Sequence, residues 1–166
     1  DWYDYPGSYW LKNNPKGVDR GEPSRFNYAF HVLLGHHGIF SLTPFWILAV
    51  VGTIPLLRRP DRGERWMMSA IVVVTFVCLA FYIGRPEIDR NYGGVSCGFR
   101  WVFWMIPLWY LPTMEGVRQI RRSPWMRRVA ELALAFSVFS ALYPWSNPWV
   151  HPWLFQWLSY LGWIET

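Results

Sequence analysis

The stretch WMMSAIVVVTFVCLAFYIG, residues 66–84, decides the fold class of this chain. It carries no charged residue, and at roughly 1.5 Å per helical residue it comes close to the roughly 30 Å hydrocarbon core of a bilayer. Working outward, similar apolar runs lie upstream at 38–57 and downstream at 101–117 and 129–145. The pattern predicts an all-α membrane protein with about four transmembrane helices over 38–145, namely 38–57, 66–84, 101–117 and 129–145. Thr43-Pro44 reads as a cap and first helical residue, which shortens the regular part of the first run. Pro107 and Pro112 predict a kink in the third.

Composition supports the membrane reading and excludes others. The chain is 52% hydrophobic, 20% aromatic and 16% charged, whereas soluble domains carry about 25% charged residues. Mean hydropathy is only +0.07, because the runs alternate with loops dense in Arg, Pro and Trp. The basic residues form no single stripe, so a nucleic-acid partner is excluded. Cys78 falls within an apolar run and Cys97 in a polar loop, which predicts two free thiols. The chain begins at Asp1 with no signal-peptide pattern and reads as the C-terminal part of something longer.

Orientation follows from the loops. Arg58, Arg59, Arg62 and Arg65 follow the first run; Arg118, Arg121, Arg122, Arg127 and Arg128 follow the third. These nine of sixteen basic residues mark the cytoplasmic side, so both termini and the 85–100 loop are expected outside. Residues 1–37 read as an extracytoplasmic loop in which Ser24 caps a short interfacial helix running to about Leu34, with Phe26, Phe30, Leu33 and Leu34 on one face. Residues 146–166 read as a Trp-rich interfacial tail. Trp145, Trp149, Trp153 and Trp157 recur every fourth position, but Pro148 and Pro152 favour only a short helix from Pro152. An aromatic anchor and a sugar-stacking platform both fit that tail.

The segment RPEIDRNYGGVSCGFR, residues 85–100, is the best candidate for chemistry. Gly93, Gly94 and Gly98 permit backbone shapes closed to other residues and let a ligand approach the main chain. Arg90 and Arg100 could grip a phosphate bidentately, and Glu87 and Asp89 could pair with them or bind a divalent cation. The bland alternative is a tight re-entry turn whose charges meet lipid headgroups. His31, His36 and His37, with His151 in the tail, lack the spacing of a zinc site, so hydrogen bonding is expected of them and no metal. Glu115 and Glu131 are expected to pair with the arginine-rich loops. Asp1, Asp4, Asp19 and Glu22 are the other outward acids, and nothing in their spacing selects a general base. Catalytic residues and cofactors therefore stay unassigned.

Two stretches resemble a known family. NYGGVSCGFRWVFWMIP, residues 91–107, resembles the GG-x-S-x-GPRY-x-x-x-x-P pattern in late segments of bacterial multi-pass glycosyltransferases of the GT-C type, which take sugars from polyprenyl-phosphate donors. HHGIFSLTPFWILAVVG, residues 36–52, resembles the stretch that often precedes it there. Phe99 stands for the usual Pro, Cys97 for a common aromatic, and Trp101 for Tyr. The resemblance implies a bacterial inner-membrane location and a lipid-phosphate site at Gly93, Gly94, Ser96, Gly98 and Arg100. The catalytic acid of such enzymes lies far upstream, so the chain alone is expected to be inactive. The partners implied are the bilayer, a polyprenyl-phosphate sugar and other membrane proteins. The alternative is a non-enzymatic helical subunit of a membrane complex. A transporter fragment fits less well, since no charge lies near the middle of a span.

Overall fold

The computed structural model describes residues 5–6 and 21–164, and every regular element among them is a helix. Helix α1 (Arg25–Leu33) starts as its cap predicts, with the Ser24 hydroxyl accepting from the Asn27 amide at 3.2 Å. It buries Tyr28 and Val32, whereas Phe26, Phe30 and Leu34 of the expected apolar face remain exposed. Leu33 alone of that face packs against the core.

The first apolar run does not form one helix. Proline at 44 lacks an N–H and restricts Thr43 before it. The run therefore divides into a single turn, α2 (Ile39–Leu42), a 3-10 turn (Pro44–Trp46) and α3 (Ile47–Leu57). Helix α4 (Arg62–Gly84) begins ahead of the expected Trp66, because the Asp61 carboxylate caps the Glu64 amide at 2.7 Å. Among the described residues it is the one helix long and apolar enough to cross a membrane by itself.

The third run opens with a 3-10 turn (Arg100–Met105) and continues as α5 (Ile106–Ile120). Pro107 sits in the first turn of α5, where its missing N–H has no intrahelical partner to lose. Pro112 lies inside the helix. Helix α6 (Pro124–Leu142) starts upstream of Val129 because Ser123 and Pro124 supply a cap and a first-turn proline, and it stops at Leu142 rather than Trp145. A last helix, α7 (Trp153–Tyr160), follows Pro152 as the tail sequence predicts. Trp145 and Trp149 lie outside it, so the four tryptophans do not share a helical face.

Helices α3 and α5 run side by side in the same sense. The rings of Trp46 and Trp109 lie 5.6 Å apart at one end, and Arg59 reaches Glu115 at 2.7 Å at the other. Between them the backbones touch. A Cβ on Gly116 would overlap the Leu48 carbonyl, and one on Gly52 would overlap that of Pro112. The Trp109 indole donates to the Thr75 hydroxyl at 3.1 Å and ties α5 to α4, while the Phe45 amide donates to Ser137 at 3.2 Å and ties the 3-10 turn to α6. The core is one cluster that runs from Tyr28, Val32, Tyr92 and Phe99 through Val102 and Met105 to Leu56, Met68 and Ile71. Outer faces stay apolar: Phe76 on α4 is 69% exposed and Leu132 on α6 is 71% exposed.

At the arginine-rich end, Arg59 bridges Glu64 and Glu115, both at 2.7 Å, and Arg127 and Arg128 hold Glu131 at 3.6 and 3.1 Å. Both acids expected to pair there do so.

Candidate functional site

The 85–100 loop is built around two residues with opposite fates. Arg90 is buried; its Nε donates to the Arg85 carbonyl at 2.9 Å, and its Nη1 donates to the carbonyls of Glu22 and Pro23 at 2.8 and 2.5 Å. The Glu22 amide donates back to the Arg90 carbonyl at 3.0 Å. Nε and Nη1 of Arg90 are thus committed to main-chain carbonyls, apart from the phosphate clamp expected of it with Arg100. The nitrogens facing inward are occupied, and Arg90 serves as a brace between the loop and the segment before α1. Asp89 pairs with Arg85 at 2.9 Å, so it too is committed locally.

Asn91 organises the next turn, and no sequence signal marked it. Its carbonyl accepts from the Tyr28 hydroxyl at 2.6 Å and from the Trp101 indole at 3.2 Å, while its side-chain oxygen accepts from the Gly93 amide at 2.9 Å. Gly93 and Gly94 then adopt φ of +97° and +74°, a region open to glycine. A Cβ at Gly93 would lie 2.8 Å from Cβ of Arg100, so the glycine makes room for the arginine stem. Ser96 is buried, and its hydroxyl donates to the Gly98 carbonyl at 2.8 Å, closing the loop rather than facing a ligand. Gly98 is likewise buried under Phe103 and Leu42.

Arg100 alone of the expected site residues presents a charged group at the rim. Its amide donates to the Tyr92 carbonyl at 3.1 Å, which fixes the start of the stem. The guanidinium lies 5.1 Å from the Trp149 ring and 6.0 Å from the Trp101 ring. Among the described residues no carboxylate pairs with it. Arg100 thus follows directly on Cys97, Gly98 and Phe99, which line a cavity of about 260 Å³ together with His37, Trp46 and Trp109. Most of that lining is aromatic or aliphatic. Burial raises the Cys97 thiol above its ordinary pKa, leaving it protonated and a poor nucleophile.

The histidines meet beside this cavity, which His37 helps to line. His31 stacks on His36 with centroids 4.1 Å apart, and Nδ1 of His36 and Nδ1 of His37 share a hydrogen bond at 2.5 Å. Such a contact needs one ring donating and the other accepting, so the two hold complementary tautomers. His37 also stacks on Tyr92 at 4.2 Å, and His151 stacks on Phe155 at 4.3 Å beside it. Burial, reinforced by the neighbouring imidazoles, lowers His36 to about 3 and His37 well below its ordinary value. Both are neutral at pH 7. Burial also raises the Tyr28 and Tyr92 phenols, which stay protonated. Among the described residues, no three His, Cys, Asp or Glu side chains converge so as to hold a metal ion.

Asp1, Asp4 and Asp19 lie outside the described residues. No family model matches the chain, and no curated protein or solved structure matches it either.

Proposed function

We propose that this chain is the C-terminal membrane part of a GT-C-like glycosyltransferase and that its rim helps to bind a polyprenyl-phosphate-linked sugar at the extracytoplasmic face. On this reading 39–57, α4, the 100–120 segment and α6 form a four-span body. The apolar exposed faces of α4 and α6 would meet lipid, since soluble proteins rarely leave such surfaces bare. The arginine-rich turns then lie inside and the glycine loop outside.

The observation that carries the proposal is Arg100. Its guanidinium has no carboxylate partner among the described residues and lies against Trp149, and its backbone follows directly on Cys97, Gly98 and Phe99, which line an apolar cavity; a phosphate on a lipid tail needs such a cation close to such a cavity. Transfer itself needs a base and an acceptor site supplied from elsewhere. The test is affinity for a polyprenyl phosphate in the full-length protein. Arg100→Ala should weaken it roughly 10- to 100-fold, as loss of a charge-assisted contact implies, while leaving insertion intact. Unchanged affinity rejects the role.

One observation favours a second reading, a non-enzymatic subunit. Only Ser137 and Ser140 of α6 are buried, while Leu132, Val138 and Phe139 are exposed, a face that a partner's helix covers as well as lipid does. A purified protein that binds no polyprenyl phosphate yet leaves the membrane only with a stoichiometric partner supports that reading.

A further inference from the structure

The arginine-rich end holds more positive charge than orientation alone explains. Its nine arginines face four acids: Asp61, Glu64, Glu115 and Glu131. That surplus equals the formal net charge of the whole chain, +5, so the rest of the sequence is balanced. Tertiary structure concentrates it. The Arg59 bridge to Glu64 and Glu115 draws the α3–α4 turn against the end of α5, from which the α5–α6 turn leaves. Glu64, Glu115 and Glu131 are spent on Arg59, Arg118, Arg127 and Arg128, and Asp61 caps the Glu64 amide. Arg58, Arg62, Arg65, Arg121 and Arg122 are exposed and have no carboxylate partner among the described residues. Beside them Trp66 is 66% and Trp125 74% exposed, each next to the first turn of its helix.

We infer that these two turns form a docking surface for the headgroups of anionic phospholipids in the inner leaflet. Charge complementarity selects the partner. Arginine forks match phosphate oxygens bidentately. The exposed indoles sit where tryptophan settles, at the boundary between headgroup and acyl chain. A nucleic acid would leave those indoles and the apolar helices behind them unused. The inference rests on the membrane reading of α4 and its neighbours, but not on the donor site at Arg100.

The experiment uses the purified protein containing the whole chain, in a neutral detergent, with native mass spectrometry and thermal unfolding as readouts. Phosphatidylglycerol should be retained and should raise the melting temperature, whereas phosphatidylcholine and inorganic phosphate should do neither. Each of Arg58→Gln, Arg62→Gln, Arg65→Gln, Arg121→Gln and Arg122→Gln should weaken phosphatidylglycerol binding about fivefold, as a surface arginine beside anionic lipid implies. Raised salt should weaken binding further. Single variants at exposed positions keep the fold intact, and Arg62→Lys, which keeps the charge but not the fork, should recover only part of the loss at that position. Equal retention of phosphatidylcholine, equal protection by phosphate, or displacement by a nucleic acid would overturn the inference. Extraction of the chain from membranes by alkaline carbonate would instead overturn the membrane reading, so the two failures are distinguishable.

Discussion

Replacing Gly116 with alanine tests the packing on which every position in the molecule depends. The added methyl would overlap the Leu48 carbonyl oxygen and lie 2.8 Å from its carbon. Carbon atoms in contact sit at about 3.5–4.0 Å, so α3 and α5 must part by about 0.7 Å or more. Overpacking of this kind costs about 1–3 kcal/mol, while alanine regains up to about 1 kcal/mol of helix propensity over glycine. With the full regain the net loss should be about 0–2 kcal/mol, against a gain of up to about 1 kcal/mol where no overlap arises. Gly84→Ala is the control, because a Cβ there meets nothing within 4 Å and only the propensity gain remains. Unfolding in mixed micelles with increasing dodecyl sulfate, followed by tryptophan fluorescence, measures both. Gly52→Ala in addition should cost less than its own single effect, since the helices are already apart. If Gly116→Ala is as stable as Gly84→Ala, the backbone contact between α3 and α5 is not there.

Acid should loosen the histidine cluster. His36 is held at about 3 in the folded chain against an ordinary value near 6.5, so the unfolded state takes up protons first; stability is full above about 6.5 and declines as pH falls toward 3, by about 1.4 kcal/mol per unit and group. Tryptophan emission of the tail followed from pH 7 to 4 should report its release, and a flat profile, or one that His36→Gln does not make shallower, contradicts this. Arg90→Ala should cost about 3 kcal/mol by stranding three carbonyls, with faster hydrogen exchange at 85–100. Arg90→Lys should not restore protection, because one ammonium cannot follow a guanidinium's spread of contacts.

Much of the helix inventory was written locally. Unbroken β-branched and apolar residues announce α4, Ser24 announces α1, and Pro152 announces α7. Pro44 also signalled a break, though not that the first run would divide into three pieces. The site was less legible, because sequence does not separate Arg90 from Arg100: both are arginines flanking the same glycines. The difference is made by Glu22 and Pro23, nearly seventy positions away from Arg90, whose carbonyls take its donors. Likewise Gly52 and Gly116 are single glycines in separate apolar helices, and only their contact makes them a pair. The convergence of His31, His36, His37 and His151 depends on α7 folding back over the loop. The sequence allows that placement but does not require it.

The central claim is a membrane body whose glycine loop and Arg100 face outward while the arginine-rich turns face inward. Single cysteines placed at Val95 and at Arg122, in a protein otherwise lacking Cys78 and Cys97, test it in whole cells with a membrane-impermeant maleimide. Val95 is exposed in the loop and Arg122 is exposed between α5 and α6. The account predicts that Val95→Cys is labelled in intact cells and Arg122→Cys only after permeabilisation. The reverse pattern, or labelling of both from one side, would contradict it.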